Sequence, residues 1–213
     1  MIHEESAMKE RLIFFTAGLL ILTMGVGLII RSNLGASAWD ALAVGESRVF
    51  GLTVGTCVFI NGIVLIVINA FLLKRRPEIL AAATIFVIGM LIDFWLLIVF
   101  KNFSPQSPIL QYAALFFGIL TLGLGVAIYL QAKFPSSPMD TLMIAIHTRF
   151  GLTLRTSRII SEGFALLLAF LFRGAIGVGT IIVTALLGFV VQYFYPKFEQ
   201  LLKRQTNREP NIQ

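Results

Sequence analysis

The chain has 213 residues, of which 57% are hydrophobic and 13% charged, with 17 Lys and Arg against 11 Asp and Glu for a formal charge of +6. Soluble domains carry about 25% charged residues, so a water-soluble fold is excluded. The basic excess does not imply a nucleic-acid partner, because in a membrane chain the placement of Lys and Arg matters more than their sum. Apolar runs approach the ~20 residues that a helix needs to cross the hydrocarbon core, whereas barrel strands would read as ~10-residue alternations. The predicted fold class is all-α, a polytopic membrane bundle of about six transmembrane helices.

In chain order, a tail over 1–11 precedes a first span at 12–30, which is longer than a secretory h-region and reads as retained. A short helix at 37–50 follows, then spans at 55–73 and 79–100, which complete a first repeat over 12–100. An external linker at 101–109 leads to a second repeat over 110–196, with spans at 110–130, 156–172 and 177–195 and a short helix at 137–150. A basic tail, 197–213, closes the chain, and its Lys197, Lys203, Arg204 and Arg208 suit anionic lipid headgroups.

With the N-terminus cytoplasmic, the inner segments collect 13 of the 17 basic residues, including Lys9, Arg11, Lys74, Arg75, Arg76, Lys133 and Arg149. The outer segments hold only Arg31, Arg48, Lys101 and Arg173. That bias places both termini in the cytoplasm. An eight-span alternative would require the short segments to cross, and they are too short and too charged.

Offsetting the chain on itself by 100 residues pairs 18–56 with 118–156, and 13 of those 39 positions are identical. Leucine-rich composition could match two spans, but Ser37/Ser137, Asp40/Asp140 and the shared Phe-Gly-Leu-Thr lie outside them. With a one-residue slip the third spans also correspond, Gly89 to Asp93 against Gly188 to Gln192. A three-span unit must enter its second copy from the opposite side, so the halves are predicted to be inverted repeats, an arrangement common in secondary transporters.

Each short segment opens on Ser-x-x-Asp: Ser37-Ala38-Trp39-Asp40 and Ser137-Pro138-Met139-Asp140. Serine at the N-cap with an acid three residues later is a capping box, Pro138 fits the first helical position, and Gly51 and Gly151 fit left-handed stops. Two readings stand side by side. The residues cap a helix and nothing more, or the two helices are also re-entrant and bring their N-termini toward a solute path. Ser37, Trp39, Asp40, Ser137 and Asp140 are the candidate pathway residues, although Trp39 equally suits an interfacial anchor.

Asp93 and Glu162 are the acids well inside apolar runs, which makes each a functional candidate. Glu162 follows Arg158 by four residues, so the plainer reading is a local ion pair. Asn61, Asn69 and Gln192 suit interhelical hydrogen bonds, and Gly25, Gly27, Gly123 and Gly125 suit close helix approach. His147 shares a face with Asp140 but has no second histidine nearby, so no metal site is expected. Cys57 is the only cysteine, which leaves no intramolecular disulfide.

The run Arg31-Ser32-Asn33-Leu34-Gly35-Ala36-Ser37-Ala38-Trp39-Asp40, with Gly25-Val26-Gly27 before it and Phe50-Gly51-Leu52-Thr53-Val54-Gly55-Thr56 after it, resembles the bacterial YczE/YyaS/YitT-like membrane proteins. Members often carry Pro before Trp-Asp, where this chain has Ala38; Pro138 keeps it in the second half. The resemblance implies a multi-pass protein of the bacterial cell membrane, and brings neither substrate nor catalytic residues. The expected function is a small secondary transporter or permease for an unidentified solute or ion. The alternative is a non-transporting regulator or subunit, with a homo-oligomer or membrane partner protein beside the lipid bilayer. No Walker A loop, nucleophile elbow or zinc helix is present in the sequence, so neither an enzyme nor a cofactor is expected.

Overall fold

A computed structural model describes residues 2–132, 134 and 137–206, with side chains described from Arg11 to Leu201. Lys133, Pro135, Ser136 and Arg208 lie outside the described residues, and the side chains of Lys9, Lys203 and Arg204 outside the described side chains. The described chain is helical throughout its ordered elements: α1 (Ile2–Arg31), α2 (Ala38–Phe50), α3 (Val54–Leu73), α4 (Ile79–Phe94), α5 (Pro108–Tyr129), α6 (Pro138–Phe150), α7 (Leu154–Leu171) and α8 (Val178–Thr206).

The short helices form for the reasons legible in sequence. Ser37 caps α2 by accepting from the Asp40 backbone N–H, and Gly51 ends it at φ 68° with its own N–H on Ser47 O. Pro138 opens α6 with Ser137 as cap, and Gly151 ends it at φ 67° on His147 O. Only glycine takes that left-handed stop without steric cost. Thr53 and Thr153 then cap α3 and α7 by accepting from Thr56 N–H and Thr156 N–H.

Five described helices are long and apolar enough to cross a membrane: Arg11–Arg31, Val54–Leu73, Ile79–Val99, Pro108–Ala132 and Val178–Leu201. The sixth expected span coincides with α7, 18 residues long, whose first turns carry Arg155, Arg158 and Glu162. Those charges keep α7 outside the set of five. The chain is therefore a multi-pass α-helical membrane protein with at least these five apolar helices.

Two tight crossings organise the bundle. Along α1 and α5, a Cβ on Gly18 would lie 2.5 Å from Tyr129 N and one on Gly118 2.7 Å from Ile29 Cγ1, while Gly25 and Gly125 abut the backbone of Leu122 and Leu22. Small residues let these backbones touch, the usual device where lipid supplies no hydrophobic drive between helices. Gly123 likewise admits Val190 of α8, while a Cβ on Gly27 would lie 3.2 Å from the Phe100 ring and from Trp95 Cβ, tighter than ordinary van der Waals contact.

The second crossing joins α3 to α4. A Cβ on Gly89 would sit 2.5 Å from Gly55 O. Asp93 fastens this contact, accepting from Gly55 N–H at 2.7 Å and from Thr53 Oγ1 at 2.6 Å. Just beyond, α4 widens into a π-turn over Trp95–Val99. The turn leaves Leu96 O free for the Arg31 guanidinium at 2.5 Å and aims Trp95 Nε1 at Thr23 Oγ1, 3.1 Å away.

The halves interlock, because α2 packs on α7 and α3 on α6, with Asn69 Nδ2 donating to Pro138 O at 2.8 Å. In contrast to the close α3/α4 pair, α7 and α8 barely touch among the described residues. The wide apolar perimeter includes Phe71, Ile79, Ile109 and Phe170, each largely exposed as lipid-facing side chains are.

Candidate functional site

A cavity of about 930 Å³ is lined from both α7 and α8, beside their loose seam, and reaches the first turns of both α2 and α6. Its walls are mostly aliphatic, from α1, α4, α5 and α8, among them Val26, Ile88, Leu122 and Leu187. Polar and aromatic groups interrupt that lining at a few points, the composition expected of a small-molecule pocket.

The cavity gathers six of the seven sequence candidates: Ser37, Trp39, Asp40, Ser137, Asp140 and Glu162. Asp40 is tethered to its cap residue through the hydroxyl, with Ser37 Oγ donating to Asp40 Oδ2 at 2.5 Å. The second segment is not tethered in the same way. Ser137 Oγ accepts from Met139 N–H at 3.4 Å and lies 3.1 Å from Met139 Sδ, and Asp140 is exposed to the cavity. Two segments that match in sequence thus present one tethered carboxylate and one open carboxylate.

Glu162 makes the anticipated ion pair, with Arg158 Nε donating to Glu162 Oε1 at 2.9 Å. Both residues also line the cavity, so pairing and exposure to the cavity coexist. Asp93 stands apart. It borders a separate cleft of about 270 Å³ shared with Arg31 and Arg48, and both of its oxygens are spent on the α3 N-terminus. Its geometry is that of a fastener between α3 and α4.

Other sequence expectations resolve simply. Asn61 Nδ2 donates to Glu46 Oε2 at 2.6 Å, an interhelical bond. His147 Nδ1 meets Leu152 O, which ties the end of α6 to the following turn, away from the cavity. Among the described residues, no group of three or more His, Cys, Asp or Glu could hold a metal ion.

The cavity also recruits residues that sequence reasoning did not single out as site members: Tyr129, Met143, Ser161, Thr184 and Tyr195. Tyr129 immediately precedes the turn 130–132 at the end of α5, and Ser161 lies next to Glu162. Gln192, at the position matching Asp93, lines the cavity, and among the described residues no hydrogen bond ties it to a helix N-terminus.

The model of a family of unknown function, DUF6198, matches residues 9–196. The chain belongs to that family. YyaS of Bacillus subtilis is 37% identical over 187 residues, covering 88% of this chain and 93% of YyaS. The membrane protein YczE of the same organism is 32% identical over 200 residues, covering 92% of each chain. A protein of Haemophilus influenzae is 33% identical over 180 residues, covering 83% of this chain and 79% of its own. These matches bear out the resemblance read from the Arg31–Asp40 run, and the likeness to YczE agrees with the membrane architecture. No solved structure matches the chain.

Proposed function

We propose that this DUF6198 member is a small secondary transporter of the bacterial cell membrane, moving its solute through the cavity between the halves. The observation that carries the reading is that one cavity touches both Ser-x-x-Asp helix starts while the two equivalent helix seams differ, α3/α4 fastened and α7/α8 parted. Gly188, the counterpart of Gly89, would meet nothing within 4 Å if it carried a Cβ. A path closed at one seam and open at the other is what alternating access requires of a single state.

On this reading α7 is the sixth span. Its 18 residues reach ~27 Å at 1.5 Å per residue, and Phe164, Leu167, Phe170 and Leu171 are exposed along it. Arg158 and Glu162 face the cavity, where charge is tolerated inside a membrane. Six spans give inverted repeats with both termini cytoplasmic, which puts the α7/α8 seam on the inner side and the α3/α4 seam on the outer. The short helices are re-entrant, the solute passes between their N-termini, and no chemical step is catalysed.

The test needs no knowledge of the solute. In a Cys57→Ala background, the pair Arg155→Cys and Gly188→Cys occupies the positions matching Gly55 and Gly89. Alternating access requires the seam to close at times, so a disulfide is expected to form under mild oxidation in membranes and to block entry of an impermeant maleimide at Met143→Cys from the inner side. A pair that never crosslinks, with Met143→Cys labelled at one constant rate, would point to a static cavity and to a regulatory partner instead of a transporter.

A further inference from the structure

Resting on the transporter reading, we propose that the ligand of the central cavity is a lipophilic organic monocation, its charge set against Asp140 and its body against the aliphatic walls. The charge balance of the lining leads there. The cavity is bordered by three carboxylates, Asp40, Asp140 and Glu162, and by one cation, Arg158. Arg158 donates to Glu162 at 2.9 Å, and its charge also reaches Asp140. Asp40 and Asp140 sit in the first turns of α2 and α6, and each helix N-terminus offsets about half a charge. About one negative charge is left without a partner, in a space where an unpaired charge is costly.

The two aspartates are not equivalent. Asp40 holds Ser37 Oγ at 2.5 Å, whereas Asp140 opens onto the cavity with its serine turned to Met139. Asp140 is therefore the carboxylate that a ligand cation meets. The same cavity is lined by Tyr129, Trp39 and Tyr195, ring systems that attract a cation on their faces, and by Met139 and Met143, flexible thioethers that adapt to varied shapes. An inorganic cation would need a shell of converging oxygen ligands, and among the described residues no group of three His, Cys, Asp or Glu is placed to hold a metal ion. A volume of about 930 Å³ lies within the range that holds multi-ring organic molecules. An anion would have to displace Glu162 from Arg158 beside two further carboxylates. The parted α7/α8 seam gives an amphiphile a way in past exposed apolar side chains such as Ile160 and Phe164.

The experiment measures binding to the purified full-length protein in nanodiscs of neutral lipid, using tetraphenylphosphonium and its isosteric anion tetraphenylborate, which share shape and differ in charge. Saturable binding of tetraphenylphosphonium by calorimetry is expected, with tetraphenylborate at least tenfold weaker. Asp140→Asn is expected to weaken the cation about tenfold or more, the equivalent of one 1.4 kcal/mol step, and Asp140→Glu to retain it. The remote Glu78→Gln should bind as the unaltered chain does. Equal or tighter binding of tetraphenylborate, or an unchanged affinity in a monodisperse Asp140→Asn protein, would overturn the proposal. Abolition of cation binding when anionic phosphatidylglycerol replaces the neutral lipid would also overturn it, by making a lipid the occupant. The disulfide test of the α7/α8 seam is read without any ligand, so a moving seam with no cation binding removes this inference alone. Cation binding beside a static seam removes the transport reading alone.

Discussion

The substitution Asp93→Asn addresses the fastening of α3 to α4 with almost no change of shape. The carboxylate accepts two hydrogen bonds, from Gly55 N–H at 2.7 Å and Thr53 Oγ1 at 2.6 Å. An amide in the same place keeps one acceptor oxygen for Gly55 N–H and donates through its NH₂ group to the Thr53 hydroxyl, so two charge-assisted bonds become neutral ones. Charge-assisted bonds contribute about 1.5–3 kcal/mol against about 0.5–1.5 kcal/mol for neutral ones, so the pair together loses about 1.5–3 kcal/mol. If they exist only while the seam is shut, the shut state loses that amount relative to any state with the seam parted, a shift of roughly 10- to 150-fold in their ratio. A reporter Ile88→Cys, in a Cys57→Ala background, lines the central cavity from α4. In oriented membrane vesicles its labelling by an impermeant maleimide, from the face that carries the α3/α4 seam, should accelerate by that order. Tm in detergent is read alongside, because a simple loss of packing would lower Tm without changing access. A fall in Tm with a labelling rate unchanged within about twofold would refute the reasoning, since Asp93 would then fasten α3 to α4 in every state.

The α1/α5 crossing should be intolerant of volume where the α7/α8 seam is tolerant. Gly125→Val is expected to lower Tm by an amount corresponding to at least 1–3 kcal/mol, roughly the cost of overpacking, because Gly125 abuts the Leu22 backbone, whereas Gly188→Ala, inside α8 with open space for its Cβ, should raise Tm slightly, by an amount corresponding to at most about 1 kcal/mol. Asn69→Ala removes the donor that Pro138 O receives at 2.8 Å and should cost about 1–3 kcal/mol, read as a lower Tm or as proteolysis between α5 and α6. Gly51→Ala places a Cβ at φ 68°, a conformation costing about 1–2 kcal/mol for an L-residue, and should lower Tm by a matching amount with no change in cavity labelling.

Much of this architecture was legible in sequence because it depends on local rules. Ser37, Ser137, Pro138, Gly51 and Gly151 act within four residues of their own positions, so capping chemistry places the short helices correctly. The α1/α5 crossing was legible only as a list of small residues. Gly25 and Gly125 were anticipated, while Gly18 and Gly118, equally close to the opposing helix, look the same in sequence as any glycine in a span. The site was legible in its membership and not in its chemistry. Asp40 and Asp140 share a motif, yet whether a carboxylate binds its own serine depends on a rotamer that no local pattern fixes. Asp93 illustrates the opposite error of inference. An acid in an apolar run reads as a pathway group, and only the approach of Thr53 and Gly55, 40 and 38 positions earlier, shows that its oxygens are already occupied.

At the two helix seams, the places where the repeat fails in sequence coincide with the places where the structure departs from symmetry. Gly55 faces Gly89 and Asp93 across a shut seam; the matching positions hold Arg155, Gly188 and Gln192 across a parted one. Arg155 brings a long side chain to a contact that in the first half leaves no room for a Cβ. Gln192 offers one acceptor where Asp93 offers two, and no charge for the helix N-terminus that it would meet. A symmetric scaffold with equal seams would have no preferred resting state, whereas the two differences, Arg155 for Gly55 and Gln192 for Asp93, favour shutting the α3/α4 seam over the α7/α8 seam. On the transporter reading, the preference is supplied mainly by Gly55, Asp93 and Arg155, which lie outside the cavity lining, with Gln192 at its wall. Cavity chemistry around Asp140 and the resting direction of access can then vary independently within the family.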